Sequence, residues 1–174
     1  MSWGDGTTEA WTSGATLTHV YGVAGTFTPS VVTVDEAGNA SKTSADPIAV
    51  SVDAAGPLVT IAKPRAAAKV KSWKTIKGTA KDAGVGTASV AVVAIQKRGS
   101  AWYAYSATTK KWAKAATKGK AWKKAVAVAG TLDKSDFKVR LAGLRTGKLM
   151  LRASAKDNLG NASSVVRKRA VLTS

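Results

Sequence analysis

Between Lys97 and Lys124, five aromatic residues (Trp102, Tyr103, Tyr105, Trp112 and Trp122) are interleaved with nine cations: Lys97, Arg98, Lys110, Lys111, Lys114, Lys118, Lys120, Lys123 and Lys124. Aromatic faces stack on sugar rings or bases, and cations set among them pair with anionic groups. The candidate ligand-binding residues are therefore Trp102, Tyr103, Tyr105, Trp112 and Trp122, with Lys110, Lys111 and Lys114. The competing interpretation is that the tryptophans pin a long hairpin across a β-sandwich. The Ala and Lys content of residues 110–124 would also allow a helix. Trp112 and Trp122 are ten residues apart, which suits no single helical face, so an irregular hairpin is expected there.

Little else in the chain could do bond-making chemistry. The 174 residues include one His and no Cys, which excludes a disulfide framework, thiolate metal sites and zinc sites built on several His. There is no P-loop, no G-x-G-x-x-G after a strand, no G-x-S-x-G and no H-E-x-x-H. His19 could act as a base with Asp5 or Ser13, but no nucleophile motif accompanies it. Asp133 and Asp136 lie three apart beside Lys134 and Lys138, which suits a turn better than the paired carboxylates of a glycosidase cleft. Asp5, Asp35, Glu36 and Asp46 could offer oxygens to calcium. Calcium takes about six to eight ligands, and no D-x-D-x-D-G loop is present, so turn capping is the simpler role. A non-enzyme without cofactor or metal is expected.

Charge is distributed unevenly. Residues 1–56 carry Lys42 against six Asp and Glu, whereas residues 57–174 carry 26 Lys and Arg against four Asp. Such asymmetry suggests two modules, the second of which meets something anionic, such as an acidic glycan or a cell-wall polymer. The alternative is that Lys simply keeps strands and edges soluble. A module this basic will also hold nucleic acid non-specifically at low salt, so no specific nucleic-acid partner is inferred. No run of eighteen apolar residues could span a membrane, and Met1-Ser2-Trp3-Gly4 has none of the features of a signal peptide.

The elements that must position these residues are short strands. Asp35-Glu36-Ala37-Gly38-Asn39-Ala40-Ser41 recurs as Asp157-Asn158-Leu159-Gly160-Asn161-Ala162-Ser163, so D-x-x-G-N-A-S occurs twice. Asp can accept from backbone N–H groups two residues on, and Gly supplies a positive φ, so each copy predicts a hairpin turn. Before the first copy, strands are expected at residues 16–21, 26–28 and 31–34, and after it at 48–52. Asp53-Ala54-Ala55-Gly56-Pro57 breaks the pattern and marks a boundary. Beyond it, strands are expected at 58–61, 72–81, 88–96, 126–128, 137–141, 149–156 and 165–172. Seven or eight short strands separated by turns predict a sandwich.

Two resemblances sharpen this outline. Trp3-Gly4-Asp5-Gly6, then His19-x-Tyr21, Gly25-Thr26-Phe27, Val34-Asp35 and Gly38-Asn39 occur in the order seen in PKD repeats, which are immunoglobulin-like sandwiches. The resemblance implies that Trp3 is a core residue rather than a ligand platform, and that His19 and Tyr21 are a structural pair beside the W-G-D-G turn. In that family the first strands precede W-G-D-G, and here Met1 lies two residues before Trp3. Residues 1–54 are thus expected to be a PKD-like sandwich truncated at its N-terminus, a piece of a longer chain whose open edge could pair with another copy. Residues 55–174 resemble bacterial immunoglobulin-like domains. The residues that carry this are Gly78-Thr79-Ala80-x-Asp82-x-Gly84-Val85, the Val90 to Gln96 run, the spaced Trp, and Gly147, Leu151, Ala153, Ala155, Asp157, Gly160 and Asn161. The expected fold is therefore all-β, two tandem Ig-like antiparallel β-sandwiches. The expected function is that of a non-catalytic accessory or spacer segment of a secreted or cell-surface protein, making protein or glycan contacts as adhesion modules do. The alternative is a module binding anionic polysaccharide through residues 97–124.

Overall fold

The computed structural model describes residues 1–12 and 14–174 and is mostly antiparallel β-structure. It divides into two compact units, Met1–Val52 and Asp53–Ser174.

In the first unit, β1 (Gly25–Phe27) pairs with β4 (Ile48–Val50), and β2 (Ser30–Val34) pairs with β3 (Ala40–Ser44). The β2–β3 hairpin turns on the first D-x-x-G-N copy. Asp35 accepts from the Asn39 backbone N–H at 2.8 Å and from its amide at 2.9 Å, while Gly38 takes φ +88°. Residues 16–21, expected as a strand, form none. A strand needs a partner ladder, and here the alternate side chains His19 and Tyr21 are instead drawn into an aromatic column. Trp3, His19, Tyr21 and Phe27 follow one another with centroids 4.8, 4.7 and 4.4 Å apart. Trp3 and Phe27 are the buried ends of that column. Strand β3 was not expected from the sequence, because Ala40-Ser41-Lys42-Thr43-Ser44 is exposed throughout and shows no apolar alternation.

The second unit is a β-sandwich. One sheet runs β14-β13-β7-β8-β9, with β10 (Val128–Ala129) on the far part of β7 (Thr87–Arg98). Its other members are β8 (Ala101–Ser106), β9 (Lys111–Ala115), β13 (Gly147–Asp157) and β14 (Val166–Leu172). The facing sheet runs β11-β12-β6-β5, from β5 (Leu58–Ile61), β6 (Thr75–Lys81), β11 (Thr131–Asp133) and β12 (Asp136–Arg140). Strict alternation makes the fold. Leu149, Leu151, Ala153 and Ala155 of β13 and Val90, Val92 and Ala94 of β7 point inward, where they meet Val59, Ile61, Ile76, Phe137 and Val139 of the other sheet. Burial of this apolar area is the main favourable term for the fold. Trp73 closes one end from a 3₁₀ turn, Val70–Trp73, and donates its indole N–H to Ala67 O at 2.7 Å.

Residues 110–124 correct the expectation of an irregular hairpin. They form β9 and then a helix, α1 (Lys118–Lys124). Thr117 caps α1 by accepting from the Lys120 N–H at 3.2 Å, and Lys123 and Lys124 stand at the C-terminal end, where cations favour the helix dipole. The spacing of Trp112 and Trp122 fits no helical face because Trp112 belongs to a strand and only Trp122 to the helix. Ala121 of α1 packs on Ile95 and Ala104, so the helix covers part of the outer face of the larger sheet.

Candidate functional site

Strand register decides which of the candidate residues can share a site. On β7, Gln96 and Ala94 face inward, whereas Val93, Ile95 and Lys97 face outward. Cross-strand partners point to the same side of a sheet. Tyr105, opposite Trp112, therefore faces the core and is buried. Trp112 lies tilted against it at 5.1 Å and donates its indole N–H to Ala142 O at 2.7 Å. The Tyr105 hydroxyl accepts from the Ala142 N–H at 3.3 Å. Arg98 sits over Tyr103 at 4.6 Å and Trp112 at 5.1 Å. It donates to Gln96 Oε1 at 2.8 Å and to Gly143 O at 2.9 Å. Burial first, then the nearby Arg145 charge, holds its pKa below the ordinary guanidinium value. Gln96 is fully buried and also bonds the Arg145 backbone through both its amide nitrogen and its carbonyl. Tyr103, Tyr105 and Trp112 thus close one end of the sandwich.

The other candidates lie elsewhere. Trp102 is on the outer face beside α1, with Lys97 Nζ 5.7 Å from its ring centre. Trp122 projects from α1 over the same face, and the Arg152 guanidinium stacks on it at 4.1 Å. Lys110, in the β8–β9 turn with φ +55°, and Lys111 and Lys114 on β9 are exposed. The sheet separates the eight sequence-chosen residues onto two faces and a turn.

Outward from Trp122 lies a cationic surface that residues 97–124 alone do not reveal. On β13 and β14, Arg152 stands opposite Arg167, and Met150 opposite Arg169. These side chains, with Lys118, Gly119 and Trp122 of α1, line an open cavity of about 190 Å³. Its signal in the sequence is the Arg167-Lys168-Arg169 alternation on β14 facing Arg152. Recognising it requires knowing that β14 pairs with β13. Among the described residues, no Lys or Arg side chain forms an ion pair with Asp or Glu.

The acidic residues are engaged by turns. Asp5 accepts from the Thr7 hydroxyl at 2.6 Å and from its N–H at 3.0 Å, and meets His19 Nε2 at 2.7 Å. The Thr7 hydroxyl, then the Thr7 N–H and His19, lower its pKa to about 2. His19 is stacked on Trp3, and the Tyr21 hydroxyl donates to Trp3 O at 2.9 Å, so Trp3, Asp5, His19 and Tyr21 form one connected cluster. Ser13, named with His19 above, lies outside the described residues. In the second D-x-x-G-N turn, burial works to raise the Asp157 pKa, but donors from the Asn161 side chain and backbone and from Leu159 and Gly160 bring it below the ordinary value. Asp157 also shares a cluster with Asp53 and Asp82, with carboxylate oxygens within 4.8 Å of one another. The Asp53 oxygen accepts from the Val85 N–H at 3.3 Å and Asp82 from the Gly84 and Gly86 N–H groups at 3.1 and 2.9 Å. Sequence reasoning missed this cluster, since its members are far apart in the chain. Asp133 and Asp136 are Cα partners across the β11–β12 turn, with Lys134 at φ +54° between them.

No family model matches the chain, and no curated protein matches it.

Proposed function

We propose that this chain is a non-catalytic β-sandwich segment that makes contact with an anionic polymer through its second unit. One observation carries the reading: unit Asp53–Ser174 holds 26 Lys and Arg against five Asp, and among the described residues none of those cations is paired with an Asp or Glu side chain. Unpaired cations spread over sheet faces raise the local concentration of polyanions and their rate of capture. No Asp or Glu side chain has to be displaced from them when a polyanion binds. The non-catalytic part of the reading is supported by the engagement of His19 in the aromatic column of the first unit and of Asp5 with Thr7 and His19. Its placement in a secreted or cell-surface protein rests on the resemblance to PKD and bacterial immunoglobulin-like modules. No helix is long and apolar enough to cross a membrane among the described residues.

Binding of the chain to heparin, polygalacturonate and wall teichoic acid, measured at physiological salt, tests the proposal. Saturable binding with an affinity that falls log-linearly with salt is expected, as for any contact dominated by counterion release. A chain that binds none of the three would be a spacer, and the polyanion reading would be abandoned.

A further inference from the structure

Resting on that reading, we infer that the cavity between α1 and β13–β14 is a specific pocket for one tetrahedral oxyanion ester, a sulfate or phosphate group carried on a polysaccharide. Three observations converge there. Arg152 and Arg167 are direct cross-strand partners with no carboxylate beside them. Like charges placed opposite each other in a sheet repel, and an anion seated between them removes the repulsion. Arg152 Nε is buried and has no hydrogen-bond partner in the protein, the only such side-chain atom among the described residues. Buried polar groups are rarely left unpaired, and Arg152 lines the cavity, so an acceptor seated there is the partner this side chain lacks. The Arg152 guanidinium is also held on Trp122 at 4.1 Å, so its donors are pre-oriented rather than mobile.

Size and donor arrangement set the ligand class. At about 190 Å³ the cavity is smaller than the roughly 300 Å³ at which pockets begin to enclose drug-sized ligands. It takes one substituent and leaves the rest of the polymer outside. One face of Trp122 is already occupied by Arg152, so a sugar ring does not stack on that face. Arg152 on β13, Arg167 and Arg169 on β14 and Lys118 on the helix offer donors from several directions. A tetrahedral oxyanion can accept from all of them, whereas a planar carboxylate is satisfied by one arginine fork.

The test uses the whole chain at physiological salt. Inorganic sulfate and inorganic phosphate are titrated while the Arg152 Nε–H signal is followed by ¹H–¹⁵N NMR, and affinities are measured for a sulfated heparin oligosaccharide, polygalacturonate and duplex DNA. The Arg152 signal is expected to shift with either inorganic ion. Arg167→Gln, an exposed position that leaves the Trp122 stack intact, is expected to weaken oligosaccharide binding about tenfold or more, the usual scale for losing one charge-assisted hydrogen bond. Arg152→Gln gives a second variant at the same pocket. The control Lys134→Gln/Lys138→Gln removes two charges from the β11–β12 hairpin, one in its turn and one on β12, and is expected to change affinity by about twofold or less. Equal losses in the control and in Arg167→Gln would overturn the pocket while leaving the polyanion reading in place. No binding of any polymer would end both. Polygalacturonate binding as tightly as the sulfated oligosaccharide would overturn the ester assignment. Duplex DNA held more tightly than the oligosaccharide, with Arg167 dependence, would overturn the polysaccharide.

Discussion

Trp112 is the residue at which recognition and architecture make opposite predictions. As a ligand platform it would be dispensable to the fold. In the structure it lies on Tyr105, carries Arg98 on its face and donates to Ala142 O at 2.7 Å. Truncating a fully buried Trp to Ala costs about 3–5 kcal/mol, and Trp112 is half-buried, so roughly half of that is expected from packing alone. The lost hydrogen bond adds about 1 kcal/mol, since Ala142 is exposed and water can replace the donor. Trp112→Ala should therefore destabilise the second unit by about 3 kcal/mol, or roughly 10 °C in melting temperature for a unit of this size. Trp112→Phe keeps an aromatic ring against Tyr105 and should lose only about 1 kcal/mol. Guanidinium unfolding, read by near-ultraviolet circular dichroism, gives both numbers, and oligosaccharide affinity is measured on the same folded samples. Trp112→Ala should bind as the parent does wherever it is folded. A variant with unchanged stability and at least tenfold weaker binding would contradict the architectural role and return Trp112 to a binding site.

Three further outcomes follow from local geometry. Asp5 has its pKa lowered from 3.8 to about 2 in the fold, so its contribution to stability is complete above pH 4 and is lost as the pH falls towards 2; Asp5→Asn should flatten that part of the acid denaturation profile, followed by Trp fluorescence between pH 2 and 6, and an unchanged profile would remove Asp5 from it. Gly147 sits at φ +126°, and a Cβ there would collide with the Lys97 carbonyl oxygen, so Gly147→Ala must move the β13–β7 ladder and should lower stability in a denaturant titration by about 2 kcal/mol or more; an equally stable variant would mean the strand end is free to shift. Thr117→Ala removes the cap of α1 and should cost about 1 kcal/mol, with a red shift in Trp122 emission as the helix end loosens; no change in either would show that tertiary packing alone holds α1.

Much of the fold was legible because it is written locally. The apolar alternation of β13, the apolar run of β7 and both D-x-x-G-N turns are each visible within a few residues. Alternation tells which side chains share a face, but not what covers that face. Thr16–Tyr21 alternates like a strand and yet threads His19 and Tyr21 into an aromatic column, and exposed β3 forms a ladder with β2 without any apolar alternation of its own.

The order of residues alone specifies an all-β chain with a basic second half and an aromatic, lysine-rich centre. Folding then turns Tyr105 and Trp112 into the sandwich while Trp102 and Trp122 turn out of it. It also brings Arg152, Arg167 and Arg169 from two strands to one cavity and Asp53, Asp82 and Asp157 to one turn cluster. These groupings depend on pairings between strands distant in the chain. A one-residue change of register would send each side chain to the opposite face, and nothing within a strand's own residues records its partner's register.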